Sequence, residues 1–170
     1  SMFVHLLVAA GSETTRNSIT AGLLALIDRP DQWDALRADR SLLPGAVEEI
    51  LRWASSTIYN RRTATDKIEL GGQVIQPGDK VVLWWQAANF DERTFADPHT
   101  FDVRRTPNPH LAFGFGTHFC LGANLARMET KVAFEELLTR FPDWELDEPG
   151  IVRLRSGNVR GLGALPMRPL

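Results

Sequence analysis

Apolar residues run almost unbroken from Met2 to Gly11 and then thin to a helical spacing that lasts to Asp28, which predicts one long helix over residues 2–28. Its first turns are apolar nearly all round, the pattern of a deeply buried helix. Arg29-Pro30 ends it, and a short amphipathic helix restarts at Asp31 and runs to Ala38. Pro44 suits the first turn of the next helix, residues 44–54. The period then changes. Lys67–Leu70, the Gly71-Gly72 turn and Val74–Gln76 read as a hairpin, and Lys80–Trp85 as a further strand. Residues 87–112, rich in Asn, Asp, Pro and Arg, hold no period; structureless stretches of such length usually serve function. A glycine-rich loop fills residues 113–122, and residues 121–141 return to helical spacing. The tail from Trp144 to Leu170 reads as short strands broken at Pro149-Gly150, Ser156-Gly157 and Gly161. The fold class expected is mainly α with small β-sheets (α+β), in a single domain over residues 1–170. The chain opens on helix with no capping box before it, so the expectation is a fragment.

Composition narrows the field. With 170 residues, 44% hydrophobic and 24% charged, the chain can bury a core and is neither disordered nor fibrous. A net charge of -2 gives no general attraction to nucleic acid or anionic lipid. The apolar run at residues 2–11 is too short to cross a bilayer, and no basic segment precedes it to make a signal peptide. One cysteine rules out an internal disulfide and suits a reducing, cytoplasmic setting.

That cysteine carries the strongest local chemistry. In Phe113-Gly114-Phe115-Gly116-Thr117-His118-Phe119-Cys120-Leu121-Gly122, two glycines let the backbone turn tightly and approach a flat partner. Cys120 immediately precedes a helix, where free amides and the dipole favour a thiolate, and a thiolate binds metal. Phe113 would shield the sulfur, and His118 offers an N–H donor two residues before it. On residue type alone a buried structural cysteine would be the better reading. Glu49 and Arg52, three apart, share a helical face and can pair. Glu13 and Thr14 are adjacent, so they point about 100° apart on their helix: one can face a site while the other faces solvent.

The spacing F-x-x-G-x-H-x-C-x-G resembles the haem-ligand signature of the cytochrome P-450 family, and other motifs agree in order. Ala10-Gly11-Ser12-Glu13-Thr14-Thr15 resembles the distal-helix oxygen-activation motif, and Glu49-Ile50-Leu51-Arg52 the family's E-x-x-R. Asp97-Pro98-His99-Thr100-Phe101-Asp102 resembles the meander, and Gly122-Ala123-Asn124-Leu125-Ala126-Arg127 the helix after the cysteine. The likeness is to the C-terminal portion of a member, from the distal helix onward.

The resemblance implies haem b (iron protoporphyrin IX), with Cys120 as the iron ligand and Phe113, Gly114, His118, Gly122 and Arg62 as further cofactor contacts. Arg62, in preference to Arg61, and His118 would pair with haem propionates. Thr14 would hydrogen-bond bound oxygen and Glu13 help deliver protons, though the family more often has Asp there. The family's second meander arginine is replaced by Thr100, leaving His99, Arg105 or neither to complete the structural Glu49–Arg52 network. Implied pocket residues are Val8, Ala9, Ser56, Thr57, Ile58, Tyr59, Asn158 and Val159. The implied activity is insertion of one oxygen atom of O2 into a C–H bond of a small apolar substrate of sterol type. Electrons would come from a ferredoxin-type donor near Arg104, Arg105, Arg127 and Lys131. Two alternatives stay open: a catalytically inactive haem-binding or self-associating fragment, and a haem-free helical interaction domain. Phe3, Val4, Leu6, Leu7 and Val8 would in either case seek cover, from the missing N-terminal half or from homodimerisation through the first helix.

Overall fold

The computed structural model describes residues 1–170. Helix α1 spans Met2–Ile27, α2 Pro30–Ala38 and α3 Leu43–Ala54. Strands β1 (Tyr59–Thr63), β2 (Ile68–Leu70), β3 (Gln73–Ile75) and β4 (Lys80–Trp84) follow, then the short helix α4 (Trp85–Asn89). After the irregular stretch comes α5 (Ala123–Arg140) and the strands β5 (Trp144–Leu146), β6 (Val152–Arg153), β7 (Leu162–Ala164) and β8 (Met167–Pro169). All sheets are two-stranded and antiparallel: β1 with β4, β2 with β3, β5 with β8, and β6 with β7.

The core is helical. Leu23 and Leu26 of α1, Trp33 and Leu36 of α2, Leu43, Ala46 and Ile50 of α3, and Phe134 and Leu138 of α5 meet in one cluster, closed by Phe101 and Val103 from the meander. Helices α1 and α3 come close because Gly22 has no side chain. A Cβ built there would lie 2.5 Å from Ile50 Cγ2. Trp33 is tied to the far end of α5 by its indole N–H, which donates to the Pro142 carbonyl at 2.9 Å.

Several details depart from the sequence expectation. Residues 2–13 of α1 are exposed, and burial begins at Thr15, so the helix is deeply packed only in its second half. Phe3, Val4, Leu6, Leu7 and Val8 are 47–64% exposed. The accessible surface, 10670 Å², exceeds the roughly 8,400 Å² of a compact protein of this mass. Strand β1 was not anticipated, because Tyr-Asn-Arg-Arg-Thr lacks apolar alternation; its partner β4 imposes the extended form. Trp85 and Ala87 lie in α4, not in a strand and a meander: the Trp85 amide donates to the Ile58 carbonyl and its indole to Asn60, which turns the chain there. Helix α2 begins at Pro30, whose missing N–H costs nothing in a first turn. Helix α5 begins at Ala123, after a turn at Leu121-Gly122.

The contact at Gly22 gives a direct check. Gly22→Ala should destabilise the chain by about 1–3 kcal/mol, since the methyl group must displace a fully buried isoleucine. Urea unfolding would read this as a lower midpoint at unchanged slope.

Candidate functional site

The meander is organised by a buried ion pair on α3. Glu49 and Arg52 are both fully buried, with Arg52 Nε and Nη2 each 2.8 Å from a Glu49 oxygen. Arg52 also donates to the carbonyls of Asn89, Pro98 and Thr100 at 2.8, 2.9 and 3.3 Å. Glu49 accepts from the Asp102 amide at 3.0 Å, from Asn108 at 3.1 Å and from Arg105 at 3.3 Å. Arg105 is therefore the second arginine of the network. His99 is not in it; its ring lies 5.4 Å from that of Phe90.

The meander delivers the cysteine loop. Gly114 and Gly116 both take positive φ, +71° and +68°, and a 3-10 turn over Gly116–His118 lifts Cys120 to the surface. The loop closes where the Cys120 amide donates to the Phe113 carbonyl at 2.9 Å. Phe113 is half-buried between His110 and Phe119, while His118 and Gly122 are exposed beside the thiol.

Glu48, next to Glu49 on α3, binds the other flank. Its two oxygens accept from Arg127 Nε and Nη2 at 2.7 and 2.9 Å, and His110 Nε2 lies 3.0 Å away. Burial pushes the Glu48 carboxyl up, but hydrogen bonds from His110 and Arg127 outweigh it and hold the group down at about 2. The same bond to Glu48 raises the Arg127 guanidinium. Sequence reasoning missed the Glu48–Arg127–His110 cluster, because its members stand up to 79 residues apart and nothing local links them.

On α1, the Thr14 hydroxyl donates to the Ala10 carbonyl at 2.7 Å. The helix stays α-helical through Gly11 and Thr14. Glu13 is exposed and 3.7 Å from Arg16. A cleft of about 630 Å³ separates α1 from the start of α5. Val8, Gly11, Ser12 and Thr15 line one wall, and Gly122, Leu125 and Ala126 the other. Thr14 and Cys120 do not line it themselves, but each stands one or two residues from a residue that does. Val8 thus lies on the α5-facing wall, whereas Ala9, also exposed, is not in it.

The remaining pocket candidates are brought together from segments about a hundred residues apart. Thr57 bridges Val159, the Ile58 amide donates to the Asn158 carbonyl at 2.9 Å, and the Arg160 amide to Ser56 at 2.8 Å. Ser56 is buried, its hydroxyl 2.8 Å from that of Ser18 on α1, and Tyr59 begins β1. Arg62 sits exposed in β1 with no carboxylate partner, its guanidinium donating only to the Arg61 carbonyl. Of the cations expected at a donor-docking face, Arg105 and Arg127 are engaged with Glu49 and Glu48, and Lys131 pairs with Glu135. Arg104 is exposed.

The donor set bears on what Cys120 could hold. No cluster of three or more His, Cys, Asp or Glu side chains is assembled to hold a bare metal ion. A metal at this thiol must therefore bring most of its own ligands, as iron does in a porphyrin. The exposed thiol fits a metal carried in that way.

The fold is helical, with one exposed thiol on a glycine loop and a cleft between α1 and the start of α5. The Cytochrome P450 family profile matches residues 1–159, and the chain belongs to that family, which implies a haem cofactor. It is 55% identical over 168 residues to the methyl-branched lipid omega-hydroxylase of Mycobacterium tuberculosis, covering 97% of this chain and 39% of that protein. It is 46% identical over 164 residues to the steroid C26-monooxygenase of the same organism, covering 95% and 41%. The crystal structure of CYP109E1 from Bacillus megaterium in complex with corticosterone superposes with a TM-score of 0.95 at 37% identity, over 99% of this chain and 46% of that one. The chain thus spans less than half the length of these relatives. No helix is long and apolar enough to cross a membrane.

Glu48 generates an acid-stability prediction. Its folded carboxyl titrates near 2 against an ordinary 4.5, so its contribution is complete above about pH 4.5 and fades as pH falls toward 2. The stability gap between the parent chain and Glu48→Gln, from denaturant melts across that window, should shrink steadily as pH falls. A gap independent of pH would contradict the pairing.

Proposed function

We propose that this chain forms the haem-binding part of a monooxygenase that inserts one oxygen atom of O2 into a C–H bond of an apolar substrate. The observation that carries the reading is the exposed Cys120 on its glycine loop, two residues from Gly122 in the cleft whose other wall holds Gly11, Ser12 and Thr15. The cofactor is haem b, with Cys120 as iron ligand, Phe113, Gly114 and Gly122 around the sulfur, and Arg62 and His118 at the propionates. Bound haem supplies the oxygen activation, which a thiolate ligand favours by donating electron density to the iron.

The protein's own part is protons, shape and dryness. Thr14 commits its hydroxyl hydrogen to the Ala10 carbonyl, leaving its oxygen free to accept a hydrogen bond. Glu13, at the surface beside Arg16, stands at the solvent end of a proton path. Val8 and Ala9 of α1, the Ser56–Tyr59 segment and the Asn158–Val159 turn shape the substrate space; their mostly small or apolar side chains suit a bulky lipid-like molecule. Relatives named for a methyl-branched lipid and a steroid support a sterol-like or branched-chain substrate. Electrons come from a ferredoxin-type donor docking near the cysteine loop, with Arg104 and Lys131 at hand, and the setting is cytoplasmic.

The test is the absorption spectrum of the reduced, CO-bound protein. A strongly red-shifted Soret band is expected in haem-loaded protein and should vanish in Cys120→Ser. Its persistence in that variant would remove the ligand assignment.

A second reading rests on α1. Phe3, Val4, Leu6, Leu7 and Val8 remain in water, at a cost of about 1.5–3 kcal/mol for each large side chain. That favours either a companion polypeptide equivalent to the N-terminal half of the relatives or a dimer through α1. Sedimentation equilibrium should find more than a monomer, or mass spectrometry a second chain. A soluble lone monomer would defeat both forms.

A further inference from the structure

Asn89, the last residue of α4, is fully buried and bonded at both ends of its carboxamide. Its Oδ1 accepts the Leu111 amide at 2.6 Å, and its Nδ2 donates to Ser55 Oγ at 2.9 Å. A backbone N–H can only donate, so the Leu111 contact fixes which end of the carboxamide is oxygen. The Ser55 hydroxyl sends its own hydrogen to the Arg52 carbonyl at 2.7 Å, and the Arg52 guanidinium donates to the Asn89 carbonyl at 2.8 Å. The ring of bonds closes with every direction set.

These contacts join two regions that meet nowhere in the sequence. Ser55 ends α3 in a left-handed conformation, at φ +40°, and leads into Ser56, whose hydroxyl lies 2.8 Å from that of Ser18 on α1. On the other side, the Leu111 carbonyl accepts the Gly114 amide at 3.0 Å in the first turn of the cysteine loop. One planar carboxamide therefore stands between the wall that begins at Ser55 and the entry of the loop. Its two polar atoms are rigidly linked, so a plane released at one end can turn and weaken the bond at the other.

We infer that Asn89 is a positioning residue that holds the entry of the cysteine loop at a fixed offset from the Ser55–Tyr59 wall. This rests on the proposed function, which puts that wall against substrate and the loop at the iron. The separation of the two sides is then set by one shared group and not by two segments packed independently.

The test removes the bond at the end away from the loop. Ser55→Gly and Ser55→Ala both delete the hydroxyl, but glycine relieves the positive φ and alanine keeps it. Neither touches the bond from Leu111 to Asn89. In the haem-free chain, hydrogen exchange at the Leu111 and Gly114 amides should quicken about two- to tenfold in both variants, the worth of one buried hydrogen bond. The Asp102 amide, held by Glu49, should exchange at the parent rate. Loop amides that do not respond, that respond in the glycine variant alone, or that quicken no more than Asp102 overturn the inference. The haem-loaded protein supplies a second readout. Both variants should bind as much haem as the parent yet show less of the red-shifted CO-bound Soret band and more of an unshifted one. Lower haem content with the band ratio unchanged would mean that Asn89 only stabilises the fold, and would also overturn it. The exchange measurement needs no haem, so a parent chain with no thiolate-type spectrum would count against the proposed function and leave the amides to decide this inference.

Discussion

Two opposite charges with no access to water hold the irregular half of this protein together. Removing one partner of such a buried pair costs about 3–5 kcal/mol, because the other is left charged and uncompensated. Here the compensation is nearly complete. The Glu49 oxygens receive donors from Arg52, Arg105, Asn108 and the Asp102 amide, and Arg52 spends its remaining hydrogens on three backbone carbonyls. Those carbonyls belong to residues 89–100, most of which lie in no helix or strand. The ion pair does for the meander what a ladder of backbone bonds does for a sheet.

Neighbouring acids on α3 divide the labour. Successive helical residues point about 100° apart, so Glu49 faces the meander while Glu48 faces the cysteine loop and α5. One turn of helix thereby sets both the path by which the chain reaches Cys120 and the surroundings of the sulfur once it arrives. The close approach of α1 to α3 at Gly22 makes that turn a rigid reference for the distal wall as well.

The four longer helices were legible in the sequence because their apolar positions recur at helical spacing, and the cysteine loop because its glycines and cysteine form a contiguous pattern. Glu49 and Arg52 could be paired from their spacing alone. What escaped was whatever depends on a partner distant in the chain. Strand β1 is polar and extends only because β4 lies beside it. Arg105 could be named as a candidate for the third position in the Glu49 network, but not chosen over His99 without the fold. The bond between Ser18 and Ser56 and the bridge from Thr57 to Val159 join segments that share no periodicity. The burial of α1 was overestimated for a related reason: its apolar pattern records what the helix is suited to touch, and residues 2–13 touch little within this chain.

The saturated Glu49 also bears on how the chain acquires its shape. A carboxylate that needs donors from residues 52, 102, 105 and 108 gains little from any one of them, since partial satisfaction leaves charge stranded in a medium that cannot solvate it. The meander therefore has no stable half-formed state. Residues 89–108 are expected to condense on α3 together, closing more than fifty residues of chain at the corresponding loop-closure entropy. Without those contacts the cysteine loop has no fixed anchor at its start, so the form of the cysteine-bearing turn depends on the meander.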